Sequence, residues 1–368
     1  MRFLKRQITI RPPFKILDRY IIGKFLGTYI FAIILILAIT VMFDVNEKLD
    51  AFLKAPLRET LFDYFLNFLP YFANQFSPLF TFIAVIFFTS KLADNSEIIA
   101  MLASGMSYRR LLVPYLISAT VIAVATYLLA AYIIPPANVK RIEFQNTYVK
   151  NKRVDYGANV QLQVQPGEIA YMSRYDNTTR TGYKFSLESF KDKKLVSRLT
   201  SQSIRYDSLN NWQVRDYMIR YFEGNRERIE RGSKLDTIIP IEPRDFLIAK
   251  NDNEKMTTPD LAQYIDRQKQ RGVANIKDFE IEYHRRFAMT AAAFILTVIG
   301  MALSSRKVKG GMGVNIGIGL VLSFSYILFM TVTSTFAISG YTSPMVAMWI
   351  PNFVYAIIAV MLYRRAAR

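Results

Sequence analysis

LLVPYLISATVIAVATYLLAAYIIPP, residues 111–136, is the stretch on which the fold turns. Leu111 to Ile134 carries no charged residue, and a helix needs about 20 predominantly apolar residues to cross about 30 Å of hydrocarbon. It reads as a membrane span. Pro135 and Pro136 each remove a backbone donor and disfavour the helical conformation in the residue before them, which predicts that the span ends there. The chain then changes character. From Ala137 to Met256 no window could cross a bilayer, and short alternating segments are punctuated by Gly, Asn and Asp. Strands are predicted at Asn159–Val164, Ile169–Tyr175, Tyr183–Phe190, Leu195–Tyr206 and Trp212–Phe222, the last alternating imperfectly, with turns at Gly167, Asp176-Asn177, Lys191-Asp192 and Asn210-Asn211. Consecutive strands at this spacing suggest a sandwich, a jelly roll or a partly open barrel.

Two more apolar runs precede this stretch. Ile21–Phe43 is the clearest span, and Leu66–Phe88 is long enough although Pro70, Asn74, Gln75 and Pro78 interrupt it. Three follow the strands, at Phe287–Leu303, Val314–Ala337 and Pro344–Tyr363. The expected fold is an α-helical membrane protein with six transmembrane helices, three and three, around an inserted all-β, jellyroll-like domain. Its expected divisions are residues 1–136, 137–256 and 257–368, with a short helix begun by Thr258-Pro259-Asp260 and stopped by Gly272.

Composition agrees. The 368 residues are 52% hydrophobic, carry a formal charge of +18 and include no cysteine, which excludes a disulfide framework and thiol chemistry. The charge is positional. Lys and Arg concentrate in the N-terminal twenty residues, the Lys91–Arg110 connection, Arg306-Lys307-Lys309 and the Arg364, Arg365, Arg368 tail, and alternate spans put all four on one side. By the positive-inside rule that side is cytoplasmic, with both termini, and the β domain lies outside. The first apolar run has no small-residue cleavage site and is expected to stay as an anchor. Nucleic acid is not an expected partner.

The inner connection holds a short helix at about residues 94–105, which Ser96 or Asn95 can cap and Gly105 can end, with Glu97 favourably placed in its first turn. Two readings stand for it. It is an interfacial connector burying Ile98, Met101 and Leu102 against its own bundle, or it is a docking element in which Glu97 pairs with a partner's arginine.

Leu17-Asp18-Arg19-Tyr20-Ile21, Pro70 with Pro78, Ser96-Glu97 followed by Ala103-Ser104-Gly105, and Thr257 to Gly272 fall in an order that resembles the lipopolysaccharide-export permease family, the LptF/LptG type, over nearly the whole chain. Asp18-Arg19-Tyr20 leans toward LptG. The resemblance implies one permease of an ATP-driven transporter that extracts lipopolysaccharide from the bacterial inner membrane and passes it to a periplasmic bridge. The partners it implies are a second LptF/LptG-type permease, a cytoplasmic LptB-like ATPase dimer and an LptC-like bitopic protein. The chain has no G-x-x-x-x-G-K-[ST] loop, so ATP hydrolysis is expected in a partner. No cofactor, metal or catalytic residue is expected. The implied coupling residues are Glu97, Ile98, Met101, Leu102 and Gly105.

Gly313, Gly317 and Gly319 would let a neighbouring helix approach closely, as a lateral gate requires. The family's cargo-facing lysine at the outer end of the first span has only Lys48 as a counterpart here. Lys150, Lys152 and Arg153 are further candidates for an anionic headgroup, against the plainer reading of a solvated basic surface. His284 is the single histidine and reads as interfacial, and Gly310-Gly311-Met312-Gly313 reads as a tight turn. Two other function classes compete. One is a scaffold that transmits ATPase motion without carrying lipid. The other is an intramembrane enzyme, against which stand the missing paired carboxylates and metal-ligand spacing.

Overall fold

The computed structural model describes residues 16–149, 156–176, 178–208, 210–224, 226–243, 252–270, 276–307 and 311–367. Among these, six helices are long and apolar enough to cross a membrane. The chain runs through α1 (Ile16–Glu47), α2 (Leu49–Lys54), α3 (Leu57–Glu59), α4 (Leu66–Gln75), α5 (Ser77–Asp94), α6 (Glu97–Ala103), α7 (Tyr108–Leu128) and α8 (Ile134–Phe144). Six strands follow: β1 (Tyr156–Gln165), β2 (Glu168–Asp176), β3 (Thr181–Lys191), β4 (Lys194–Tyr206), β5 (Asn211–Glu223) and β6 (Arg226–Ile238). The chain then continues through α9 (Thr258–Gln270), α10 (Lys277–Ser304), α11 (Gly311–Ile338) and α12 (Pro344–Ala366). It divides into two compact units, one of residues 1–47, 69–130 and 284–368, the other of residues 48–68 and 131–283.

In the first unit α5 is the central helix. Fourteen of its 18 residues are buried, against four of the 32 in α1. Glycines set how closely its neighbours approach. A Cβ on Gly300 of α10 would lie 2.8 Å from Val85, and one on Gly319 of α11 would lie 2.1 Å from Ile86, so both helices pack on α5 with their backbones. Several polar groups inside the bundle are matched in pairs, because hydrocarbon offers no water to satisfy them. Thr89 and Tyr115 share a hydrogen bond of 3.0 Å, and Asn315 Nδ2 donates to Ser90 Oγ at 3.3 Å. Tyr326 donates to Asn352 Oδ1 at 2.9 Å, and Asn352 Nδ2 donates to the Ala288 carbonyl at 2.8 Å.

Two spans differ from the sequence expectation. The second is not the continuous run Leu66–Phe88. The helix breaks at Phe76 (φ −100°, ψ 8°) and restarts with Pro78 in its first turn, where its missing donor is not needed. The 18 residues of α5 span about 27 Å, close to the hydrocarbon thickness. The third span does not end at Pro135 and Pro136. A π-helical turn, Leu129–Ile133, hands over to α8 with the prolines at its start, so the helical chain runs on to Val149.

In the second unit, α2, the π turn Thr60–Phe65 and α8 meet in an aromatic cluster. Tyr64 is wholly buried, stacks on Phe68 at 5.6 Å and meets the Phe144 ring at a tilt, 5.1 Å between centroids. Glu59 accepts from the Tyr148 hydroxyl at 2.8 Å, and Glu254 takes Arg141 at 3.4 Å. Thr257 accepts from the Asp260 amide at 3.4 Å and begins α9, one residue earlier than the sequence suggests. Gly272 lies outside the described residues.

The strands form one antiparallel sheet in sequence order, β1 to β6, a meander with each strand paired to the next. β6 was not expected from sequence: of its 13 residues ten are exposed, so no apolar alternation marks it. The buried face is built by Leu162, Met172, Phe185, Ile204, Trp212 and Val214. The Trp212 indole donates to the Ile241 carbonyl at 3.1 Å, and burial pushes the Tyr175 hydroxyl up to about 12.

The imperfect alternation has a cause. In β5 the core side is taken by Trp212 and Val214, then by Tyr217 and Ile219, a change from even to odd positions. β4 changes likewise from Leu199 to Ile204, and β2 from Met172 to Tyr175. The ladder of paired residues skips Ser173, Lys184, Gln202 and Asp216, which stand opposite one another in register. Lys184 (φ 51°) and Asp216 (φ 50°) are left-handed. The sheet is therefore creased along one line, and β2, β4 and β5 turn their other face inward where they cross it.

Candidate functional site

The candidate site is built around α6. Two left-handed residues frame it, Ser96 (φ 62°) before it and Gly105 (φ 88°) after it. Ser96 is at the N-cap position without a side-chain cap bond, because its left-handed backbone turns the hydroxyl away from the helix. Among the described residues no cation holds Glu97. Tyr20 donates to its Oε2 at 2.9 Å and Asn95 Nδ2 to its Oε1 at 3.1 Å. Ile98 and Met101 are buried with Ile21, Phe25, Phe88, Leu111 and Tyr115, and Leu102 packs partly against the same cluster. The opposite face carries Ile99, 56% exposed, with Ala100 and Ala103.

The surrounding helix ends are tied to one another. Arg110 Nη2 meets Asp18 Oδ2 at 2.5 Å, so the start of α7 holds the start of α1 two residues before Tyr20. Tyr108 shares a hydrogen bond of 3.0 Å with Ser305 and packs on the Tyr363 ring at 5.4 Å. Arg306 caps the last helix by donating to the carbonyls of Arg365 and Ala366 at 3.2 and 3.0 Å. The short helix thus stands on a rigid floor, with a carboxylate at its start and an exposed isoleucine on its outer face.

The coupling residues read from sequence are together in space, but they divide by face. Glu97 and Gly105 reach the surface, whereas Ile98 and Met101 fix the helix to its own bundle. Sequence reasoning missed Ile99, Tyr20 and Asp18 as parts of this site. The period of α6 could have given Ile99, one position on from a buried residue; nothing local could have paired Tyr20 with a residue 77 positions away. The three glycines also divide. Gly319 is used within the chain against Ile86, while Gly313 and Gly317 have open space where a side chain would stand. Lys48 donates to the Tyr64 hydroxyl at 2.7 Å and lies over the Tyr64 and Phe68 rings, so its ammonium is held within its own unit. Lys150, Lys152 and Arg153 lie outside the described residues.

Six apolar helices, an antiparallel β domain inserted between the third and fourth, and a short surface helix rooted in the bundle define a multi-pass membrane protein. Residues 19–365 match the family described as lipopolysaccharide export system permease LptF/LptG, and the chain belongs to that family. It is a component of a lipopolysaccharide export permease and a multi-pass inner-membrane protein; the match does not distinguish LptF from LptG. No curated protein matches the chain.

Proposed function

We propose that this chain is the permease half through which ATP hydrolysis in a cytoplasmic LptB-like ATPase dimer drives lipopolysaccharide out of the inner membrane, and that α6 is the point of contact. The observation carrying this is the two-faced build of α6. Ile98 and Met101 root it in the core, so force applied to Ile99, Ala100 and Glu97 is passed to α1, α5 and α7 instead of bending a loop. Glu97 keeps a carboxylate at the surface on neutral donors, free to gain a charge-assisted hydrogen bond from an arginine of the ATPase. Basic loops beside α6 support a cytoplasmic position for it, with both termini on that side and the β domain in the periplasm.

The outer faces of α1 and α11 are apolar and uncovered within the chain, and Gly313 and Gly317 permit close approach on α11. This supports pairing with a second permease of the family, cargo passing between α1 of one and α11 of the other. The β domain then hands the acyl chains to an LptC-like bridge.

The test separates contact from internal support. Glu97→Arg is expected to abolish export and co-purification of the ATPase while the chain still inserts. Tyr20→Phe, which removes only the internal hydrogen bond, should keep the ATPase bound. Normal export by Glu97→Arg would remove α6 from the coupling path.

A further inference from the structure

The outward face of the sheet holds a concave basin of about 830 Å³, at the end where the chain joins the sheet at Tyr156 and leaves it at Ile238. Three guanidinium groups line it, Arg180, Arg205 and Arg215. Among the described residues none of the three has an ion pair, and the side chain of Arg215 donates only to Gln213, at 3.2 and 3.4 Å. Asp207 is on the rim and makes no ion pair with them.

This arrangement is costly for the fold alone. Thr181, Arg205 and Gln213 form one cross-strand row, and Tyr183, Ser203 and Arg215 form the next. Arg205 and Arg215 are therefore diagonal neighbours, roughly 7–8 Å apart along the sheet, where opposite charges would stabilise and like charges repel. A solvated strand face usually pairs such positions; here three guanidiniums share a hollow with one carboxylate, Asp207, and none of them is ion-paired among the described residues. Apart from Asp207 and Gln213 the remaining lining is hydroxylic, with Thr181, Ser203 and the half-buried Tyr183 among it.

We infer that this basin binds the clustered phosphates of a phosphorylated saccharide. Guanidinium forks match phosphate oxygens two at a time, and flanking hydroxyls with an aromatic edge suit the sugar that carries them. A polypeptide is the poorer occupant, since an extended chain would add to the open edges at β1 and β6. The choice of a phosphorylated sugar rests on the export reading: the basin would hold a headgroup on the outside of the sheet, apart from the apolar face.

The full-length chain in detergent is titrated with a bis-phosphorylated glucosamine disaccharide lacking acyl chains, its unphosphorylated form, inorganic pyrophosphate and a polyglutamate peptide. Saturable binding of the first, weakening with salt, is expected, and Arg205→Gln with Arg215→Gln should reduce it about tenfold or more. Arg205→Lys with Arg215→Lys keeps the charge and should retain part of the affinity. Lys194→Gln, at the far end of β4, should leave it unchanged. Undiminished binding in the double Gln variant, equal binding of pyrophosphate or polyglutamate, or no saturable binding would each overturn the inference. The assay contains neither ATPase nor nucleotide, so a failure of the basin and a failure of the export reading are told apart.

Discussion

Asp18 and Arg110 form an ion pair in which the two partners differ in access to water: the Asp18 side chain is 4% exposed and that of Arg110 32%. The asymmetry decides which member matters more to stability. Removing the arginine takes a charged partner from a carboxylate that water barely reaches, whereas removing the acid leaves a guanidinium that can turn outward. Arg110→Ala is therefore expected to cost about 2–3 kcal/mol, and Asp18→Asn about 1 kcal/mol. Thermal unfolding of the two variants in one detergent reads the difference, and the reverse ranking would show that Arg110 serves something other than Asp18. The pair also explains why Asp18-Arg19-Tyr20 works as a unit. Asp18 fixes the first turn of α1, and Tyr20 on that turn is then in place for Glu97.

At the level of elements, the crease through the sheet makes a sharp demand at Asp216, whose φ of 50° suits glycine and, among side chains, the short polar ones. Asp216→Val should destabilise the β domain by roughly 1–2 kcal/mol, while Asp216→Gly should leave it unchanged or slightly firmer. Trp212 reports on this in a Trp349→Phe background, because the chain has only two tryptophans. Equal melting of the two variants would mean that the strand crosses the line without strain. The same crease limits what sequence can reveal. Hydropathy located the six spans, since 20 apolar residues in a row have few other readings. Alternation located five strands, but its phase flips at Ser173, Gln202 and Asp216, and β6 carries charge on both faces. The break at Phe76 and the π turn before Pro135 were hidden for another reason. A proline marks where a helix can be interrupted, but not whether the chain breaks and restarts there, as at Phe76, or runs on through a π turn, as before Pro135.

For the molecule as a whole, orientation is the property on which the export reading depends, and the chain has no cysteine to confuse its measurement. Ser104→Cys beside α6 and Ser208→Cys between β4 and β5 are both exposed positions. A membrane-impermeant maleimide should label Ser208→Cys in intact spheroplasts and Ser104→Cys only in inverted vesicles. The opposite pattern would reverse the protein in the membrane and take α6 away from any cytoplasmic ATPase. The meander has a consequence for how such a protein is made. Every strand pairs only with the strand before and after it, through connections of a few residues, so nearly all contacts in the sheet are local in the chain. Local pairing of this kind folds quickly and needs nothing synthesised later. The β domain can zip together hairpin by hairpin as the chain emerges, Ile239 and Ile241 sealing it last. Its sheet contacts require none of the last three spans.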